Sequence, residues 1–143
     1  MKIERVKKYA EKTHERINFF LEVLTEKKRD MSIEQFESLL DNPHIHLFLA
    51  YDSDTQETLG MITLAVNSLC TGKRAWVEDV VVDPAHQGKG YGRKMMEFII
   101  QYAQKENVDS LMLTSRATRV AANTLYQTVG FEQRETNVYQ IKF

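Results

Sequence analysis

Val80-Val81-Val82-Asp83-Pro84-Ala85-His86-Gln87-Gly88-Lys89-Gly90-Tyr91-Gly92-Arg93 is the stretch on which the rest of the chain depends. Three β-branched residues in a row fit a strand covered on both faces, and Asp83-Pro84 stops it, since proline has no N–H for a ladder. Three of the six glycines then fall within five residues, at Gly88, Gly90 and Gly92. Beyond them the spacing predicts a long amphipathic helix over 88–107, with Tyr91, Met95, Phe98, Ile99, Tyr102 and Ala103 on one face. The first turn of a helix carries unpaired N–H groups and a partial positive charge, so it attracts anions. Glycine lets the backbone approach phosphate oxygens with no Cβ in the way. Lys89, Arg93 and Lys94 add cationic charge beside the same turn.

Working outward, residues 74–82 contain Trp76 and Val77 and end in the valine run, and residues 58–67 carry Leu59, Met61, Ile62, Leu64 and Val66. Residues 44–51 alternate in part, with Leu47 and Leu49 opposite Phe48 and Ala50. Upstream, Ile3 to Val6 fits a short strand. Residues 10–28 read as helix, because Ile17, Phe20, Leu21 and Leu24 recur at i, i+3, i+4 and i+7. Ser32 with Gln35 three residues on forms a capping box. It opens a second helix with Ile33, Phe36, Leu39 and Leu40 on its apolar face, and Asn42-Pro43 ends that helix. Downstream we expect a strand over 109–115, a helix over 118–129 closed by Gly130, and a last strand in the weakly alternating tail of Val138, Tyr139, Ile141 and Phe143. The order βααβββαβαβ(β) gives a mixed α/β domain with a largely antiparallel N-terminal sheet.

At 143 residues and 43% hydrophobic content, the chain fits one domain, 1–143, within the usual span of about 100–200 residues. Charged residues make up 27%, both signs are interspersed, and the formal net charge is -1. That excludes the basic stripe that non-specific nucleic-acid binding requires. The single cysteine, Cys70, excludes an intrachain disulfide and suits a reducing compartment. The N-terminus lacks the apolar run of a signal peptide, and no stretch approaches the ~18 apolar residues of a membrane span. A cytoplasmic location, with no membrane partner, is expected. His44 and His46 fall on one face of a strand, but two histidines are a weak metal set, and no metal is expected.

The turn itself discriminates among phosphate-binding patterns. The nucleoside-triphosphate loop, G-x-x-x-x-G-K followed by Ser or Thr, is absent. The dinucleotide fingerprint G-x-G-x-x-G does not match the spacing G-x-G-x-G found here. Gln87, Gly90 and Gly92 instead resemble the acetyl-CoA signature of the GNAT superfamily of N-acetyltransferases: Gln or Arg, two residues, Gly, one residue, then Gly or Ala. A second stretch lies at the expected distance downstream. Arg119, Ala122, Leu125, Tyr126, Gly130 and Phe131 resemble that family's pattern of Asn or Arg, Ala, Leu or Phe, Tyr, and a closing Gly-Phe. On a helix Arg119, Ala122, Asn123 and Tyr126 share one face. Ala121, Thr124, Leu125, Thr128 and Val129 are expected to form the core-facing stripe beside it. The likeness covers residues 58–131 closely and the whole chain in element order. One departure is Arg119, where many members carry asparagine; Asn123 is an alternative for that contact.

The resemblance implies a GNAT acyltransferase fold: a mixed, mostly antiparallel sheet of six to seven strands flanked by about four helices. It also implies transfer of the acetyl group of acetyl-CoA to a primary amine by direct attack within a ternary complex, with acetyl-CoA as co-substrate. The pantetheine arm would lie along Val80, Val81 and Val82 like an added strand. The diphosphate would lie on the turn formed by Gln87, Gly88, Lys89, Gly90, Tyr91, Gly92 and Arg93, with Arg119 or Asn123 nearby. Tyr126 would protonate the departing thiolate, and a strand amide near Val80 would support the oxyanion. Glu78 or Asp79 would take the proton of the acceptor ammonium, directly or through water. Strand alternation sends these two carboxylates to opposite faces, and Glu78 is the favoured one. The acceptor stays open between a small-molecule amine, a protein or peptide amine, and no acceptor at all, as in a non-catalytic acyl-CoA sensor. Homodimers are common in such domains, but no residue here fixes the oligomeric state.

Overall fold

A computed structural model describes residues 1–143. The elements are β1 (Lys2–Arg5), α1 (Glu11–Thr25), α2 (Ile33–Asp41), β2 (Ile45–Tyr51), β3 (Thr58–Leu69), β4 (Gly72–Val82), a single 3-10 turn (Pro84–His86), α3 (Tyr91–Lys105), β5 (Ser110–Met112) and α4 (Val120–Thr128). The strands form one sheet in the order β1-β2-β3-β4-β5. Every pair is antiparallel except the last, β4 with β5.

The sheet carries helices on both faces. Leu47 and Leu49 of β2 join Met61 and Val81 to bury Ile17 and Phe20 of α1 and Phe36 of α2. On the other face Phe48, Ile62, Leu64, Ala75 and Val77 pack against Met95, Met96, Ile99 and Ala103 of α3 and Tyr126 of α4. The alternation read from 44–51 is therefore the division between two cores. The capping box forms as expected: the Ser32 hydroxyl accepts from the Gln35 amide at 3.2 Å and the Gln35 side chain accepts from the Ser32 amide at 2.9 Å.

One strand breaks its own period. Val77 belongs to the α3 core and Val81 to the α1–α2 core, although residues four apart on a regular strand share a face. The switch is a β-bulge. Between the pairs Thr63↔Glu78 and Met61↔Val81, the single residue Ile62 faces two residues of β4. Asp79 takes a left-handed conformation there, with φ 50°, in a region where Asp is among the few tolerated side chains.

Two expectations for the C-terminal third are corrected. The sheet has five strands, not six or seven, and 132–143 form no strand. A strand needs a ladder partner, and β5 offers only three residues, Ser110 to Met112. In the tail the adjacent Val138 and Tyr139 break the period of two, and the stretch before them is polar. Tyr139 and Phe143 stay in solvent, while Arg134 lies 3.7 Å from the Met112 sulfur. On α4 the inward stripe is Ala122, Leu125, Tyr126 and Val129, while Ala121, Thr124 and Thr128 face solvent. The two stripes are one residue apart, about 100° of helix, and composition does not separate them.

Candidate active site

β4 and β5 pair only at Arg74–Trp76 with Ser110–Met112. Beyond Trp76, β4 continues through Val82 while β5 has ended, so the edge of β4 from Val77 onward is left open. The bulge at Asp79 bends the strand at the same place. The opening is a cleft of about 1740 Å³ between β4, the turn after it, the end of α1 and α4. It takes in Val80, Val81, Val82, Gln87, Gly88, Gly90, Tyr91, Gly92, Arg93, Arg119 and Tyr126. Two of the expected binding residues stand outside it. The Lys89 ammonium donates to the Ala85 carbonyl at 3.3 Å. The Asn123 amide donates to the Arg116 carbonyl at 2.9 Å and fastens the β5–α4 loop.

At one end of the cleft the turn leaves backbone amides free and no side chain over them. Gly88 and Gly90 adopt φ 77° and 80°, and a Cβ at either would meet nothing within 4 Å. The first helical bond of α3 runs from the Lys94 amide to the Gly90 carbonyl, so the amides of Tyr91, Gly92 and Arg93 have no intrahelical partner. No acidic residue lies in the first turn to compete for them. An extended chain ending in a diphosphate fits these features: free strand edge first, free amides after it. The α3 helix itself starts at Tyr91 rather than at Gly88, because left-handed glycine closes the turn instead of opening the helix.

The turn is anchored from behind. Asp83 accepts a hydrogen bond from the Ala85 amide at 2.9 Å and one from the Arg16 guanidinium. Arg16 also donates to the Thr58 carbonyl at 3.0 Å, and its guanidinium carbon lies 4.4 Å from the Phe19 ring centre and 4.7 Å from that of Phe20. Burial by itself would raise the Asp83 carboxyl, but the Arg16 hydrogen bond and charge and the Ala85 amide hold it below its ordinary value. No local pattern marks this pair, whose partners are 67 residues apart.

At the other end is a recess of about 180 Å³ whose walls include Leu24, Glu78, Asp79, Val80, Leu113, Thr114, Arg119 and Tyr126. Both carboxylates line it, which corrects the expectation that they face opposite sides of the sheet. The bulge cancels the alternation between them. Glu78 is exposed, and burial and then the charge of Asp79 raise its carboxyl. Asp79 is pushed up by burial, against a Thr63 hydrogen bond and the charge of Arg29. Tyr126 is only 7% exposed, with its ring 6.2 Å from that of Phe131. Burial raises its phenol, against the pull of Arg119, so the hydroxyl keeps its proton at neutral pH.

Sequence reasoning missed Thr114 and Leu113 past β5, and Arg29 in the α1–α2 loop, all of which line the cleft. None belongs to a local pattern; the basic run at 27–29 is visible in the sequence, but not where it points. The two histidines do not form a pair. His44 is exposed, and His46 is buried edge-on against Tyr102, with Nε2 3.0 Å from the Pro43 carbonyl.

Residues 8–131 match the family model described as the acetyltransferase (GNAT) family. A mycothiol acetyltransferase of Renibacterium salmoninarum is 32% identical over 106 residues, covering 71% of this chain and 31% of that protein. The ribosomal protein bS18-alanine N-acetyltransferase of Escherichia coli is 38% identical over 55 residues, 38% of this chain and 37% of that protein. The matched regions thus span about a third of the length of these relatives. The crystal structure of an aminoglycoside acetyltransferase from an uncultured soil metagenomic sample superposes with a TM-score of 0.82 at 20% identity, over 99% of this chain and 96% of that one. At that identity the likeness is one of fold.

Proposed function

The chain belongs to the GNAT acetyltransferase family, and on that premise we propose that it transfers the acetyl group of acetyl-CoA to a primary amine. The observation that carries this is a cleft with free backbone amides in the turn at one end and, at the other, a buried neutral phenol that shares a recess with two carboxyls made less acidic by burial. Acetyl-CoA supplies an activated acetyl group: a nitrogen–carbon bond forms, the carbon–sulfur bond breaks, and a thiol leaves. Val80, Val81 and Val82 would hold the pantetheine arm along the open edge of β4, and the amides of Tyr91, Gly92 and Arg93, with the Arg93 charge, would hold the diphosphate.

The protein's own work is proton management and orientation. Glu78 accepts the proton of the incoming ammonium, directly or through water, since only the free amine is nucleophilic. A carboxyl raised by burial and by the Asp79 charge is a stronger base than an ordinary one. The exposed Glu78 can be reached from solvent, whereas Asp79 is tied to Thr63. Tyr126 donates its phenolic proton toward the leaving sulfur. No metal-ligand set is assigned to this chemistry. The test is calorimetric titration with acetyl-CoA, followed by measurement of thiol release across amino acids, polyamines, amino sugars, aminoglycosides and peptides. Binding with amine-dependent thiol release is expected. Binding with no turnover on any amine would leave the sensor alternative, and absence of binding would end both.

A further inference from the structure

We propose that the acceptor amine carries an anionic group of its own, which Arg29 and Lys27 bind at the mouth of the cleft while Glu78 and Asp79 receive the ammonium. The inference rests on the acetyltransferase reading above and adds the acceptor's chemical class. Its basis is an arrangement of charge. The bulge at Asp79 places two adjacent carboxylates in one recess, and neither forms a salt bridge. Across the cleft the loop after α1 contributes Lys27 and Arg29 to the wall, and these cations are likewise without an ion-pair partner. Their neighbour Lys28 is turned to Asp30 at 3.8 Å and does not line the cleft. Arg29 is near enough to the acidic recess for its charge to oppose the rise of the Asp79 carboxyl.

Lys27 and Arg29 share the cleft with the glycine turn, where the free amides and Arg93 are available to the diphosphate; Leu24, one turn before them, also walls the acidic recess, and the Arg29 charge acts on Asp79. A ligand with an ammonium and a carboxylate or phosphate a few bonds apart completes both unpaired sets at once. A polycation would satisfy the carboxylates but would have to lie beside Lys27 and Arg29, and like charges at such range repel. The class is therefore amino acids, amino-terminal residues flanked by acidic side chains, or phosphorylated amines, in which the shared chemistry is an amine beside an anion.

The experiment is acetyl-CoA-dependent acetylation by the full chain of matched pairs: α-amino acids against their carboxamides, and phosphoethanolamine against ethanolamine, with spermidine as the polycation. Peptides with acidic or amide second residues separate the peptide source from the small-molecule one. In the wild type the anionic member of a pair is expected to lead in kcat/KM by about 10-fold or more, the usual scale of a charged hydrogen bond. Arg29→Glu should bring that ratio to one or below, and Lys28→Gln should keep it. A wild type that prefers carboxamides or spermidine, or an unchanged ratio in Arg29→Glu, overturns the inference and leaves the acetyltransferase assignment standing. Acetylation of no member overturns the inference as well, and calorimetry with acetyl-CoA then decides the assignment separately.

Discussion

β4 is held on one edge by nine paired positions along β3 and buries Ala75, Val77 and Val81, whereas β5 pairs at three positions only and is followed by a loop over 113–119, a short α4 and an exposed tail. These are the two walls of one cleft. The β4 wall, continued by the turn and by α3, is fixed by ladder hydrogen bonds, two cores and the Arg16–Asp83 pair. The α4 wall is fixed chiefly by Ala122, Leu125, Tyr126 and Val129 against the core. The contrast teaches a division of labour. The rigid wall offers the amides that must not move when an extended ligand lies on them. The more lightly paired wall carries Tyr126, the proposed proton donor, and its short ladder predicts that it opens more readily than the β4 wall.

The contrast can be broken most severely at Gly90. Gly90→Asp puts a carboxylate where the diphosphate is expected and strains a left-handed position. At a separation of ~4 Å and an effective dielectric of ~20 the repulsion is about 4 kcal/mol, roughly a thousand-fold in acetyl-CoA Kd by calorimetry; retained affinity would remove the turn from the binding site. Next is the anchor behind that wall. Asp83→Asn leaves the Arg16 guanidinium without its charged partner in a site where the Asp83 side chain is 10% exposed, and unfolding free energy should fall by about 3 kcal/mol in denaturant titrations. The sign with pH follows from a depressed carboxyl. The pair's stabilisation is present above the ordinary carboxylate value and is lost as pH falls through the lower folded value, so wild type should show an acid slope there that Asp83→Asn lacks.

On the other wall, Tyr126→Phe should lower kcat by about 100-fold, the lower end for general-acid help, while acetyl-CoA affinity changes little. A matching loss of affinity would mean the two walls do not divide the work. The smallest effect sharpens the picture without altering bond-making. Because the Glu78 carboxyl is raised and must be ionised to accept a proton, the acid limb of kcat/KM should lie above the ordinary carboxylate value, and Glu78→Gln should remove it. Asp79→Asn should only shift that limb downward, since it removes the charge that helps raise Glu78; a limb kept in Glu78→Gln and lost in Asp79→Asn would transfer the role to Asp79.

Much of the β4 wall was legible in the sequence because its determinants are local. Valines in succession, a proline stop, three closely spaced glycines and a helical apolar face each act within a few residues, so strand, turn and helix follow from backbone sterics and periodicity. The same holds for the Ser32–Gln35 box. The α4 wall was legible as a motif and less so as structure: the Arg119-to-Phe131 pattern located Tyr126, but the inward stripe was misjudged by one residue and the tail strand does not form. An amphipathic boundary on a short, mixed helix depends on what it packs against, and a strand depends on a partner edge; neither is written in the segment itself.

By itself, then, the sequence determined the family, the glycine turn, the position of the tyrosine and the order of elements as far as α4, since each rests on contacts between near neighbours or on a pattern repeated at fixed spacing. Tertiary structure alone decided three things: that one bulge turns Glu78 and Asp79 into the same recess, that Arg16 reaches across to Asp83, and that Lys27 and Arg29 join the wall of the cleft. Those outcomes depend on register between strands and on loops meeting through space. They arise from the free energy of the whole packed chain, which no single segment carries.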